Sequence, residues 1–153
     1  MSLTIGQPAP PFTLVSTERR QVSLSDFKGK KIVLNFFPFA FTGTCTTQLC
    51  TMRDNFGYYE GSNAVILGIS VDSPFTLAKY KEVNNYQFEL LSDFNKDVST
   101  AYGALYEEFI LGLKGVSKRS VFVIDEEQNI IYAEVLEVAT DLPNFEAIAA
   151  IVK

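Results

Sequence analysis

The chain predicts one α/β domain over residues 1–153, built on a central sheet, and three observations carry that expectation. Two near-continuous apolar runs, Lys31–Phe37 and Ala64–Val71, lack the polar alternation of a half-exposed strand, as expected of strands covered on both faces. Helical stripes alternate with strand-like runs along the whole length. No repeat, low-complexity tract or linker interrupts them. With 153 residues and 47% hydrophobic content, the chain can bury an ordinary core without staples.

The elements follow in order. Phe12–Val15 and Gln21–Leu24 form a small hairpin around the polar turn Ser16–Arg20, and Ser25 caps a short turn before Gly29. After the first central strand, Thr42–Tyr59 carries Cys45, Leu49, Met52 and Phe56 at i, i+4, i+7 and i+11, one buried helical face. Ser73-Pro74 is a cap plus first-turn proline for a helix to about Val83. Phe88–Leu91 is a short strand, and Asn95–Tyr102 a helix ended by Gly103. Arg119–Asp125 and Ile130–Val135, joined by Glu126–Asn129, make a second hairpin. The last helix has Phe145, Ile148, Ala149 and Val152 on one face behind Asp141 and Pro143. The order β-α-β-α-β-α-β-β-α is that of a thioredoxin-like fold with an N-terminal β-hairpin extension and an inserted helix. Such folds place their chemistry beyond the carboxyl end of the strand that feeds the first helix.

Cys45 falls at that junction, at the end of Phe37-Pro38-Phe39-Ala40-Phe41-Thr42-Gly43-Thr44-Cys45. The unpaired N–H groups of a helix's first turn and the helix dipole both favour a thiolate there, and a thiolate is a nucleophile. The only other cysteine, Cys50, follows five residues later. One thiol to react and one to resolve is the working hypothesis, against the plain alternative that free cysteines fill core space. Four phenylalanines, Phe36, Phe37, Phe39 and Phe41, flank Pro38, and strand alternation prevents all of them from pointing inward. Phe39 and Phe41 lie past the strand end and are expected to wall the pocket, with contact to a second subunit as the next reading.

Pro38-x-x-x-Thr42-x-x-Cys45 resembles the active-site pattern of the peroxiredoxin family. Cys45-x-x-x-x-Cys50 followed by Arg53-Asp54-Asn55 resembles its bacterioferritin comigratory protein (PrxQ) branch. The similarity extends through Ile5–Phe12, Leu67–Asp72, Leu90–Asp93 and Arg119–Asp125, so nearly the whole chain is covered. The resemblance implies a thiol-dependent peroxidase acting on hydrogen peroxide or alkyl hydroperoxides through a Cys45 sulfenic acid. It further implies that Cys50 resolves this as an intramolecular disulfide and that thioredoxin or a similar dithiol protein recycles it. By the same carry-over Pro38 shields the sulfur, the Thr42 hydroxyl hydrogen-bonds peroxide and sulfur, and the Arg119 guanidinium bonds thiolate and peroxide together. Gln48 stands where many relatives have glutamate. For Arg53 a structural ion pair is at least as good a reading as direct chemistry.

Composition narrows the remaining classes. No apolar run is long enough to span a membrane and no charged-then-apolar leader opens the chain, so a cytoplasmic protein is expected. Met1-Ser2-Leu3 fits residues left by recombinant expression. With no histidine and two cysteines a zinc site is not expected, and the proposed chemistry needs no metal, haem or nucleotide cofactor. The net charge of −5, without a basic cluster, argues against nucleic acid. Monomer and homodimer both stay open. Two rivals remain beside the two-cysteine peroxidase. One is a one-cysteine peroxidase with Cys50 inert; the other is a thioredoxin-like disulfide oxidoreductase, which normally puts two residues between its cysteines and not four.

Overall fold

The apolar runs Lys31–Phe36 and Ala64–Ser70 pair in parallel along their length, from Lys31 opposite Ala64 to Phe36 opposite Ile69. The computed structural model that shows this describes residues 3–153, so Met1 and Ser2 of the expected expression remnant lie outside the described residues. In chain order the elements are the hairpin β1 (Thr13–Ser16) and β2 (Gln21–Ser23), then β3 (Lys31–Phe36), α1 (Gly43–Asp54), α2 (Phe56–Gly61) and β4 (Ala64–Ser70). They continue through α3 (Pro74–Asn84), β5 (Glu89–Ser92), α4 (Asp97–Ala101), the short strands β6 (Leu105–Tyr106) and β7 (Val116–Ser117), β8 (Ser120–Ile124), β9 (Ile130–Val135) and α5 (Phe145–Val152). One sheet of seven strands runs β2-β1-β5-β4-β3-β8-β9, parallel at its centre and antiparallel at both sides. This is the expected thioredoxin-like architecture, with the N-terminal hairpin added at one edge.

The pleat sends successive residues of β3 to opposite faces. Ile32, Leu34 and Phe36 pack with Leu67, Ile69, Phe122 and Tyr102 in one cluster. Val33 and Phe37 pack with Leu49, Met52, Leu90 and Val121 in the other. The predicted stripe on α1 is real: Cys45, Leu49 and Met52 are buried in that second cluster, and Phe56 packs against it.

Several expected boundaries shift for local reasons. The helix expected over Thr42–Tyr59 breaks at Asn55 (φ −108, ψ 16), whose side-chain amide donates to Thr51 O at 2.8 Å and so competes with helix continuation. Asn95–Tyr102 contracts to α4, because Lys96 turns left-handed (φ 70) and the Asp93 carboxylate takes the Val98 and Ser99 amides at 3.1 and 2.6 Å. Ser23, not Ser25, precedes the short turn Leu24–Phe27, and Asn144 caps α5 by accepting from Ala147 N at 3.1 Å. Ser73 caps α3 as expected, accepting from Thr76 N at 3.1 Å. The segment from 104 to 118, for which the sequence suggested no element, forms the β6–β7 ribbon with a one-turn 3-10 helix, Ile110–Gly112, at its tip.

Gly68, in the middle of β4, lets α1 approach the sheet. A Cβ there would lie 2.6 Å from Leu90 Cδ2, 3.4 Å from Phe37 Cε1 and 3.7 Å from Leu49 Cδ2. Leu90 is fully buried and has no empty space to turn into. Gly68→Ala is therefore expected to cost about 1–3 kcal/mol of unfolding free energy in chemical denaturation. A change below about 0.5 kcal/mol would mean that Leu90 shifts freely enough to admit the methyl group.

Candidate active site

β3 delivers the chain to a turn that its own residues enforce. Phe37 N still donates to Ile69 O at 3.0 Å, but Pro38 has no donor and ends the pairing. Ala40 N then donates to the Asp72 carboxylate at 2.8 Å, which also accepts from Ser70 Oγ at 2.7 Å, tying the turn to the end of β4. Phe41 is left-handed (φ 65), and α1 starts at Gly43. Thr42 occupies the capping position with extended backbone, yet its hydroxyl donates to Phe39 O at 2.8 Å instead of accepting from the helix. The first intrahelical bond is Thr46 N to Thr42 O, so the amides of Gly43, Thr44 and Cys45 have no partner inside the helix.

Cys45 is 1% exposed and Arg119 2%. Arg119 Nη1 donates to Cys45 Sγ at 3.3 Å and to Gln48 Oε1 at 3.1 Å. Its Nε and Nη2 both donate to Ala139 O, at 3.2 and 2.7 Å. None of these acceptors is a carboxylate. Gln48 is fully buried and passes the network on, Nε2 donating to Asn35 Oδ1 at 3.2 Å. Asn35 in turn is held by Val33 O and Leu67 O, each at 3.4 Å. A buried guanidinium thus meets a sulfur and no carboxyl group.

Cys45, Arg119, Pro38 and Thr42 all line one cavity of about 310 Å³. Four of the five residues singled out from the sequence thus come together. Its apolar wall comes from Phe39 and from Phe109, Ile110, Leu111 and Leu113 of the β6–β7 tip. A larger groove, about 550 Å³, lies between β1, α3 and α4 and contains neither cysteine.

The fifth, Cys50, is half-buried and does not line the cavity. Its Sγ lies 3.7 Å from the Tyr86 hydroxyl and 4.0 Å from Asn84 Oδ1. Burial, reinforced by Tyr80 and Cys50, pushes the Tyr86 hydroxyl far above the usual tyrosine range, which keeps it a hydrogen-bond donor. Arg53 also points away from the cavity, its Nη1 donating to Asn84 O at 2.8 Å and its Nε pairing with Asp54 at 3.0 Å. Phe39 walls the cavity as expected. Phe41 does not: its left-handed backbone turns the ring onto Tyr80, 5.0 Å between centroids, and leaves it 53% exposed. Sequence reasoning missed Asn35, the Ala139 carbonyl and the β6–β7 tip. Only Asn35 left a signal, as the one polar side chain inside an apolar strand.

Comparison with known proteins places the chain in a family. The AhpC/TSA family matches residues 5–133. A putative peroxiredoxin of Mycobacterium tuberculosis is 40% identical over 134 residues, covering 86% of this chain and 85% of that protein. Peroxiredoxin Bcp of Bacillus subtilis is 39% identical over 133 residues, covering 86% and 84%. The crystal structure of the peroxidoxin BcpB from Mycobacterium tuberculosis superposes with a TM-score of 0.85 at 28% identity, covering 98% of this chain and 96% of that one. Fold and relatives define a peroxidase. The chain belongs to the AhpC/TSA family, in the Bcp (PrxQ) branch of the peroxiredoxins.

If the Arg119 charge holds the sulfur ionised, Arg119→Met, which keeps an apolar stem of similar length, lowers the thiolate fraction at neutral pH. It also slows peroxide reduction by about a hundredfold to a thousandfold. Ultraviolet thiolate absorbance and single-turnover kinetics measure both. An unchanged thiolate signal would remove Arg119 from the site.

Proposed function

We propose that the protein is a two-cysteine thiol peroxidase in which Cys45 attacks a hydroperoxide and Cys50 resolves the product. The single observation that carries the reading is the buried Arg119 guanidinium bonded to Cys45 Sγ with no carboxylate acceptor. The Cys45 thiolate bonds to the distal oxygen of R–O–OH as the O–O bond breaks. Sulfur gives up two electrons and becomes S–OH; the departing RO⁻ takes a proton from water and leaves as alcohol, or as water when R is hydrogen. Charge moves from sulfur to two oxygens, and Arg119 with the first-turn amides is suitably arranged to stabilise it. Thr42, having spent its proton on Phe39 O, keeps lone pairs to accept from the peroxide O–H. Pro38 closes the turn over the sulfur.

Cys50 thiolate then attacks the sulfenic sulfur, the S–S bond forms, and hydroxide leaves and is protonated to water. An external dithiol protein of thioredoxin type returns the electrons by exchange through a mixed disulfide. We assign the whole chain to one domain acting in the cytoplasm. Among the described residues no helix is long and apolar enough to cross a membrane.

Residues five apart on a regular helix lie about 8–9 Å apart at Cα, beyond the roughly 7 Å limit of a disulfide. Both cysteines belong to α1, so Cys45–Cys50 requires part of α1 to unwind. The sequence of α1 favours that. Gly43, Thr44, Thr46 and Thr47 are poor helix formers, and the Thr47 and Thr51 hydroxyls bond back to Gly43 O and Thr47 O at 3.1 and 2.8 Å. Its far side must also release Cys50 from Tyr86 and Asn84.

One equivalent of hydrogen peroxide is expected to remove two hydrogens from the intact mass of the reduced protein. Cys50→Ser is expected to gain one oxygen instead and to lose turnover with a dithiol reductant, while Cys45→Ser stays unchanged in mass. Equal turnover of Cys50→Ser and wild type would make Cys50 inert and leave a one-cysteine peroxidase.

Amide hydrogen exchange is expected to accelerate around residues 42–55 on oxidation and to change little in β3 and β4. Unchanged protection in a sample that mass spectrometry shows to hold the disulfide would refute the unwinding.

A further inference from the structure

Arg53 does not line the Cys45 cavity, and the reaction proposed above gives it no role. Its contacts lie on the turn between α3 and β5. Arg53 Nη1 donates to Asn84 O at 2.8 Å, and Gln87 Nε2 donates back to Arg53 O at 3.2 Å. The same turn receives Cys50, whose thiol donates to Asn84 Oδ1 at 4.0 Å and whose Sγ lies 3.7 Å from the Tyr86 hydroxyl. Cys50 and Arg53, three positions apart on α1, are neighbours on one face of the helix, and residues 84–87 hold both.

The turn keeps these groups in place without help from α1. Asn85 closes α3 in the left-handed conformation (φ 55, ψ 43), and Tyr86 N donates to Lys81 O at 3.2 Å. Asn84 Nδ2 donates to Tyr80 O at 3.0 Å, which leaves Oδ1 to face Cys50. The Tyr86 ring is buried, stacked on Phe88 at 5.2 Å and edge-on to Tyr80 at 5.4 Å between centroids.

A Cys45–Cys50 disulfide is incompatible with these contacts. Cys50 lies about 140° around the helix axis from Cys45, so its sulfur has to leave Tyr86 and Asn84 to reach its partner. Once residues 45–50 unwind, only Thr51–Asp54 remain of α1 before the break at Asn55, too short a piece to stay helical alone. Arg53 then loses the register that sets it on Asn84. Contacts made only in the dithiol form stabilise that form alone, and so make the disulfide easier to reduce.

We propose that Arg53 and Tyr86 clasp the Cys50 half of α1 to the α3–β5 turn in the dithiol state only, and thereby set the reduction potential of the Cys45–Cys50 couple. This rests on the two-cysteine reading and adds no chemical step to it. A dithiol reductant supplies two electrons and two protons, both thiols return, and the clasp closes again.

The test equilibrates the full-length protein with mixtures of reduced and oxidised dithiothreitol and reads the dithiol and disulfide fractions by intact mass after alkylation. Arg53→Met, which keeps an apolar stem, is expected to shift the equilibrium constant about tenfold toward the disulfide, a potential about 30 mV more negative. Tyr86→Phe, which removes a hydroxyl and no charge, is expected to shift it about threefold in the same direction. Denaturant unfolding of both redox forms closes the cycle: each variant is expected to weaken the dithiol form by the matching factor and to leave the disulfide form unchanged. Equal weakening of both forms with an unmoved equilibrium constant would make the two residues ordinary packing and overturn the proposal, as would a shift toward the dithiol. Wild type that forms no disulfide with peroxide or with oxidised dithiothreitol overturns the two-cysteine reading beneath it. A wild-type disulfide whose equilibrium neither variant moves overturns the clasp alone.

Discussion

A guanidinium buried without a carboxylate is the constraint to which the rest of this site answers. Removing such a charge from water costs several kcal/mol unless hydrogen bonds and an opposite charge replace the lost hydration. Ala139 O and Gln48 Oε1 supply hydrogen bonds to Arg119 but no charge. Among its acceptors only the Cys45 sulfur can carry one. Whatever fixes Arg119 therefore also fixes the cation that the sulfur meets. The neutral Gln48 matters for the same reason: a full negative charge at its position would compete with the sulfur for the cation. Its own orientation depends on Asn35, which is why a polar side chain stands in the most apolar part of the sheet.

The proposed cycle asks two incompatible things of α1. Peroxide reduction needs the first turn intact, with Cys45 buried beside Arg119; disulfide formation needs that turn undone. A strong helix would serve the first requirement and block the second. α1 instead depends on tertiary contacts: Leu49 and Met52 in the core, Thr46 against the Tyr80 hydroxyl at 3.0 Å, and Arg53 on Asn84 O. In the proposed cycle such a helix would lose its support while β3 stays paired on both sides.

What the sequence made legible was what is local. The runs that became β3 and β4 are read from continuous apolarity, and the α1 stripe from a 3.6-residue period; both signals lie within a few turns of chain. Pro38, Thr42 and Cys45 share one short segment, so their meeting followed from the strand-to-helix turn. Arg119 is 74 residues from Cys45, and only the family resemblance brought it to the site in advance. The Asn35–Gln48 link and the Ala139 carbonyl had no such help. Phe41 was expected at the pocket wall because it lies past the strand end, but nothing in the sequence marked its positive φ, which turns the ring onto Tyr80. The segment from 104 to 118 was unreadable because distant partners shape it: the Tyr106 hydroxyl donates to Glu137 O at 2.9 Å, and Phe109 packs on Phe39.

That segment also divides the labour within the site. Every hydroperoxide presents the same O–O bond to the sulfur, so Cys45, Arg119 and Thr42 have little on which to discriminate between one substrate and another. In the proposed reaction, discrimination has to come from groups that touch the remainder of the molecule; the β6–β7 tip lines the cavity without sharing a hydrogen bond with the Arg119 network. Any substrate group that fills the cavity would also displace water from beside Arg119 and the sulfur, strengthening electrostatic interactions there by lowering the local dielectric. The alkoxide leaving such a site has less water to receive it, and Arg119 with the unpaired amides of α1 are the groups left to do so. In the proposed reaction, contacts at the rim and charge stabilisation at the sulfur would thus be separable in sequence yet coupled through the water that a bound substrate excludes.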